Sequence, residues 1–183
     1  MITGVLLAAG AGRRYGRPKA LVDTGAGPWV LRTLAAMAGC DDLLVVVGDR
    51  ADEVVAMVPA EVSSVRNPDY DAGMGSSLRV GLSAVPTASD AALVMLVDLP
   101  DVGPAVIDRL LATVSTSDDP RRLLARAAYR GQPGHPVLLG RAHFAGISET
   151  AAGDRGARDY LAAHEVVMVE CGDLAGGADV DRP

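Results

Sequence analysis

Aromatic side chains are nearly missing from this chain: one Trp, one Phe and four Tyr among 183 residues, or 3%. A core must then come from Ala, Val and Leu. With 49% hydrophobic residues and a mean hydropathy of +0.23, that suits a parallel sheet covered by helices. Cysteine is equally scarce. Cys40 and Cys171 stand far apart without metal-ligand spacing, which reads as two free thiols in a reducing cytosol. No apolar run approaches the ~20 residues that a membrane-spanning helix needs. The first residues enter an apolar run with no basic segment before it, so no secretory signal is visible and a cytoplasmic location is expected. Excess positive charge is also lacking: the net charge is -6 and the pI about 4.9. That excludes the basic footprint of a nucleic-acid surface. Repeats and low-complexity stretches are absent, and the length fits a single domain over 1–183.

What positive charge there is lies bunched. Arg13, Arg14, Arg17 and Lys19 stand within seven residues of an acidic chain, which reads as a small-anion site. Around them, apolar runs alternate with helical patterns. Thr3–Ala9, Leu43–Val47, Val62–Arg66 and Ala91–Val97 read as strands. Trp29–Ala38, Arg50–Met57, Gly75–Val85 and Pro104–Val114 read as helices, with Pro28 suited to a first helical position. Further on, Leu123–Ala128, Val137–Leu139 and Val166–Val169 read as strands and Gly131–Pro136 as a turn-rich loop. A helix begun near Asp154 carries Arg158–Ala163, and the tail after Gly172 reads as partly loose. This alternation predicts right-handed βαβ units: an α/β, three-layer, Rossmann-like, mostly parallel sheet with helices on both faces.

The segment Leu7-Ala8-Ala9-Gly10-Ala11-Gly12-Arg13-Arg14-Tyr15-Gly16-Arg17-Pro18-Lys19 follows the first predicted strand, where ligands collect in open α/β sheets. Its glycines let backbone N–H groups converge on an anion. It is not a Walker loop, because Lys19 is followed by Ala20. It is not a dinucleotide fingerprint either, because Tyr15 occupies the third glycine's place and no acidic residue follows ~20 residues on.

The segment instead resembles the signature L-A-[AG]-G-x-[SG]-x-R-[MY]-G-x-x-K of the MobA-like nucleotidyltransferases, at every fixed position. Later segments extend the resemblance in order: Asn67-Pro68-Asp69-Tyr70, Gly73-Met74-Gly75-Ser76-Ser77-Leu78, Asp98-Leu99-Pro100, Gly134-His135-Pro136, Gly153-Asp154-Arg155-Gly156-Ala157-Arg158 and Asp179-Val180-Asp181. They are most like the molybdenum-cofactor cytidylyltransferase branch. The resemblance implies the fold of nucleotide-diphospho-sugar transferases, with a nucleotide-binding half (1–115) and an acceptor-binding half (116–183). It implies transfer of CMP from CTP, or GMP from GTP, to the phosphate of molybdopterin, with Mg²⁺ as cofactor and an apo-molybdoenzyme as a further partner. Neither a membrane nor a nucleic acid is implied. A dye oxidoreductase using NAD(P)H, a cofactor chaperone without turnover and a sugar-phosphate nucleotidyltransferase are the rival readings.

Residue roles follow. Lys19 would reach the α-phosphate and stabilise charge built up on attack, and Arg13 would fork the β and γ phosphates; Arg14 and Arg17 would face solvent. Leu7, Ala8, Ala9, Gly10 and Gly12 would cradle the nucleotide. Ala9, where guanine-using relatives have Gly, would narrow the base site toward CTP. Asp98 follows the most apolar strand and would hold Mg²⁺ against triphosphate oxygens; the plainer alternative is a turn that ends the strand. Asp181 is the candidate second metal ligand and Asp179 its substitute. Asn67, Gly75 and Pro100 would border the nucleotide. Ser76 and Ser77 would either cap a helix or touch ribose or base. His135, Asp154, Arg155 and Arg158 would line the acceptor side, with Asp154 as a helix N-cap.

Overall fold

A computed structural model of the chain describes residues 1–180. The strands are β1 (Ile2–Ala8), β2 (Asp42–Val47), β3 (Ser63–Arg66), β4 (Ala91–Leu96), β5 (Leu124–Tyr129), β6 (Gln132–Gly140) and β7 (Val167–Glu170). They make one sheet in the order β3-β2-β1-β4-β6-β5-β7. β1 pairs in parallel with β2 and β4, β2 with β3, and β5 with β7; β6 runs antiparallel between β4 and β5. All seven residues of β1 are buried, as expected of a strand covered on both faces. The edge strands β3 and β7 have four residues each and are mostly exposed, a length that limits pairing with other chains.

The helices are α1 (Trp29–Ala36), α2 (Ala51–Met57), α3 (Met74–Ala84), α4 (Pro104–Ser115), α5 (Phe144–Thr150) and α6 (Arg158–Ala162). Side-chain alternation in β1 divides the core. Ile2, Leu6 and Ala8 pack with α1, α2 and α4, whereas Val5, Leu7 and Ala9 pack with α3, α5 and α6. The three-layer α/β expectation therefore holds. In α4 the residues Val106, Ile107 and Leu110 form the buried stripe at helical spacing, and Pro104 at its first position loses no bond. Pro86 follows Val85 and ends α3.

Several local expectations are corrected. Gln132–Pro136, read as loop, belongs to β6: after the turn at Arg130 and Gly131 (φ 55° and 77°) the chain pairs back along β5 despite its prolines. Helix α5 was not anticipated; its seven residues bury only Ile147 and show no clear stripe. Pro28 is the N-cap of α1 rather than its first residue. Asp154 caps nothing: it sits in a separate 3-10 turn, Gly153–Arg155, and Ala157 is the N-cap of α6. The tail expected to be partly loose is tied to the body as far as Val180. Asp101 Oδ2 accepts from the Gly176 and Gly177 N–H groups at 2.8 and 3.1 Å, and the Val180 N–H donates to the Asp98 carbonyl at 3.0 Å. Both cysteines are free thiols, and burial pushes the Cys40 thiol up to about 12, which leaves it protonated and unreactive.

Candidate active site

Strand order reverses direction at β1 and β4: the chain winds outward through β2 and β3 on one side, then returns to place β4 on the other. Such a switch point opens a crevice beyond the carboxyl ends of the two strands. The loops that follow β1 and β4 meet there. Lys19, at the start of a 3-10 turn, donates from Nζ to Asp98 Oδ2 at 2.9 Å, and the two side chains are 13% and 20% exposed. The other carboxylate oxygen, Oδ1, is buried with no hydrogen-bond partner.

The loop is shaped by its own backbone. Gly12 has φ 58°, and a Cβ there would lie 1.9 Å from the Arg17 carbonyl oxygen, so only glycine fits. The Gly12 carbonyl accepts from the Tyr15 and Gly16 N–H groups, each at 2.9 Å. Ala8 and Ala9 are buried on opposite faces of the sheet, so Ala9 presents its methyl on the α3 side. Gly10 has open space where a Cβ would stand.

Arg13 is exposed and donates from Nη2 to Asp71 Oδ1 at 2.7 Å across the crevice. The fixed arginine of the signature is the neighbouring Arg14, also exposed. To fork the β and γ phosphates as expected, Arg13 would have to leave Asp71, and Arg14 is the arginine that stands at the motif position.

Asn67, Ser76 and Ser77 come together, but toward one another. Asn67 Nδ2 donates to Ser76 Oγ at 2.8 Å and Ser77 Oγ at 3.0 Å, and its Oδ1 accepts from the Asp69 N–H at 3.0 Å. The three residues are 2%, 3% and 6% exposed. The capping reading of the serines fails, because α3 begins two residues earlier with Gly73 as its N-cap. The network ties the end of β3 to the first turn of α3. Gly75 on that turn faces the Ala152 backbone, where a Cβ would come within 2.7 Å of N. The absence of that Cβ lets the first turn of α3 approach the Ala151–Ala152 backbone. Pro100 accepts from Arg32 through its carbonyl at 3.2 Å.

A second cleft opens on the α3 side, lined by all four residues expected on the acceptor side: His135, Asp154, Arg155 and Arg158. Its floor is apolar and includes Leu7, Leu78, Val94 and Val137. Arg126 of β5 also lines it and was not among the expected residues. Arg126 donates from Nε and Nη2 to the Gly134 carbonyl at 3.3 and 3.1 Å. Burial, then the nearby charge of Arg158, lowers its pKa. Among the described residues, neither Arg126 nor Arg158 has a carboxylate partner within 4.0 Å, while Arg155 pairs with Asp159. The signal for Arg126 was present: an arginine in the middle of an apolar strand needs a reason to be there. Burial, then Arg126, lowers the His135 imidazole to about 4, so at neutral pH it is uncharged.

Asp181 lies outside the described residues, and Asp179 is exposed. Among the described residues no three His, Cys, Asp or Glu side chains gather around a point. Asp98 still fits a divalent cation. Its buried Oδ1 has no hydrogen-bond partner, and Mg²⁺ is commonly held by one or two carboxylates plus substrate phosphates. Among the described residues no helix is long and apolar enough to cross a membrane.

With this geometry established, comparison decides the family. Residues 4–167 match the model of the MobA-like NTP transferase domain. The chain belongs to the MobA-like NTP transferase family. It is 36% identical over 201 residues to nicotine blue oxidoreductase of Paenarthrobacter nicotinovorans, covering 98% of this chain and 92% of that one. Among solved structures, a homologue of Mycobacterium tuberculosis Rv0371c from Mycobacterium sp. strain JC1 superposes with a TM-score of 0.82 at 31% identity, covering 99% and 90% of the two chains. A manganese complex of Rv0371c from M. tuberculosis H37Rv gives 0.75 at 30% identity, covering 92% and 87%.

Proposed function

We propose that this protein transfers CMP from CTP to the phosphate of molybdopterin, using Mg²⁺. The observation that carries the reading is the Lys19–Asp98 pair at the β1/β4 switch point, with Asp98 Oδ1 open beside a complete family loop. An acceptor phosphate oxygen attacks the α-phosphorus of the triphosphate. A P–O bond forms, the bond to the bridging oxygen breaks, and pyrophosphate leaves. The acceptor phosphate is already ionised near neutral pH, so no strong general base is needed, consistent with a His135 that holds a proton poorly. Asp98 would hold the cation, which supplies Lewis-acid stabilisation of the charge on the triphosphate. Lys19 exchanges Asp98 for the α-phosphate, and the loop amides and Arg14 neutralise the rest; alignment and charge neutralisation supply the rate. Arg126 and Arg158 offer the acceptor two cations over an apolar floor.

CTP rather than GTP rests on Ala9, and the molybdopterin acceptor rests on the likeness of the later segments. A second reading is favoured by one finding, the 36% identity over 98% of the chain to nicotine blue oxidoreductase. In it, the same crevice holds the pyrophosphate of a nicotinamide dinucleotide, and a hydride passes to a dye in the second cleft. One pair of assays separates the two. Pyrophosphate release is measured with each of the four NTPs, with and without molybdenum cofactor. Loss of the NADH absorbance band is measured with a dye acceptor. Cofactor-dependent pyrophosphate release that is greatest with CTP supports transfer; NADH oxidation without pyrophosphate from any NTP overturns it.

A further inference from the structure

After β7 the chain returns to the loop that carries Asp98 and bonds to that loop at both of its ends. The consecutive Gly176 and Gly177 N–H groups converge on Asp101 Oδ2 at 2.8 and 3.1 Å. Three residues later the Val180 N–H donates to the Asp98 carbonyl at 3.0 Å. The same segment rests on Tyr129, the last residue of β5. Gly177 has φ 65°, and a Cβ there would lie 2.2 Å from the Tyr129 ring, so only glycine lets the chain lie this close. Tyr129 is itself fixed: it is buried, and its hydroxyl donates to the His135 carbonyl at 2.7 Å.

Asp98 is therefore restrained from two directions. Lys19 Nζ holds its Oδ2 at 2.9 Å, and the Val180 N–H holds its main-chain carbonyl. That carbonyl cannot turn without giving up its bond, so the peptide plane from which the Asp98 side chain springs is set. The direction of the partnerless Oδ1 is set with it. Carboxylates that bind cations depend on such outer contacts for their aim, and losing one typically costs about 10- to 100-fold in metal affinity. The Asp101 bonds are exposed, so their loss weighs less on global stability than on this local geometry.

We propose that residues 171–180 form a strap that aims the Asp98 carboxylate at a divalent cation, with Asp101 as its positioning residue. Asp101 acts through the strap. Its carboxylate gathers Gly176 and Gly177, and that fixes where Val180 meets the Asp98 carbonyl. The inference rests on the reading of Asp98 as the group that holds the cation, and on neither the nucleotide base nor the acceptor.

The whole chain is titrated with manganese(II) chloride, and the free ion is counted by its EPR signal. The expected result is saturable uptake that Asp98→Asn removes. Asp101→Ala should weaken that uptake about tenfold or more. Asp101→Asn keeps an oxygen that can accept from the two glycine N–H groups and should restore most of the affinity. Gly177→Ala drives the strap off Tyr129 without altering a charge, and should weaken uptake as Asp101→Ala does. Each titration is run well below the melting temperature of its variant, so that only folded chains are compared. Unchanged affinity in both Asp101→Ala and Gly177→Ala overturns the proposal while the Asp98→Asn result leaves the reading of Asp98 standing. Equal losses in Asp101→Ala and Asp101→Asn also overturn it, because Asp101 would then act as a nearby negative charge. Uptake that Asp98→Asn does not reduce overturns both the strap and the reading on which it rests.

Discussion

The two clefts on the catalytic side treat their positive charge in opposite ways. In the crevice beyond β1 and β4, Lys19 rests on Asp98 and Arg13 on Asp71. In the cleft beneath α3, Arg126 and Arg158 stand near each other with no carboxylate partner among the described residues. A paired cation must trade one anion for another when a ligand arrives, so the ligand gains only the difference. Arg126, partly buried and bonded to a neutral carbonyl rather than to a carboxylate, has lost solvation with no countercharge, so an incoming anion gains more from it. The crevice is therefore suited to a highly charged, metal-bound triphosphate that can outbid a carboxylate. The second cleft is suited to a ligand bearing fewer charges on an apolar body.

The largest effect should follow from removing the exchanging cation. On the proposed mechanism, Lys19→Ala would deprive the attacked phosphorus of a positive charge and leave Asp98 facing a cation alone. Loss of one preorganised charge of this kind typically lowers kcat by about 10²- to 10³-fold. Pyrophosphate release under saturating substrate measures it, and nucleotide binding should change much less than kcat. If affinity falls as much as turnover, Lys19 is a binding residue and the exchange picture is broken.

Arg126→Ala comes next and sharpens the contrast between the clefts. A charge-assisted contact to a ligand is worth about 1.5–3 kcal/mol, so on the proposed reaction the acceptor KM should rise by about 10- to 100-fold while the nucleotide KM stays unchanged. An equal rise in both would show that the two clefts are one site. Arg126→Lys should recover only part of the loss, because an ammonium lacks the fork that reaches the Gly134 carbonyl and a ligand together.

Much of the crevice was legible in the sequence because its constraints are local. Gly12 is demanded by a carbonyl five residues ahead, and Leu7–Lys19 lie in one continuous segment. Strand alternation and the switch point likewise follow from apolar runs separated by helical patterns. Long-range pairing was not legible. Nothing near Asn67 says that its amide will be consumed by Ser76 and Ser77, or that Asp71 will meet Arg13 over a span of 58 residues. The β6 segment was hidden by its own composition. Gln132–Pro136 carries turn residues, but it can pair because β5 lies immediately before it and supplies the partner edge. Arg126 was overlooked because strand periodicity explains the residues around it and says nothing about the one polar position.

The smallest effect concerns Asp71, and it would make the crevice resemble the other cleft. The Arg13–Asp71 pair is exposed, with side chains 76% and 61% accessible, and such pairs contribute about 0.2–1 kcal/mol. Asp71→Asn keeps the size of the side chain and removes its charge, so Arg13 no longer has an anion to give up when the triphosphate enters. Nucleotide affinity should therefore rise by about two- to fivefold, with kcat unchanged and with a steeper loss of binding as salt increases, because one more unneutralised cation is then available to phosphate. Calorimetric titration with CTP–Mg²⁺ at two ionic strengths reads both. Weaker binding in this variant would mean that the pair holds the phosphate loop in its binding conformation rather than competing with the ligand, and the contrast between a self-neutralised crevice and an open acceptor cleft would then lose one of its two supports.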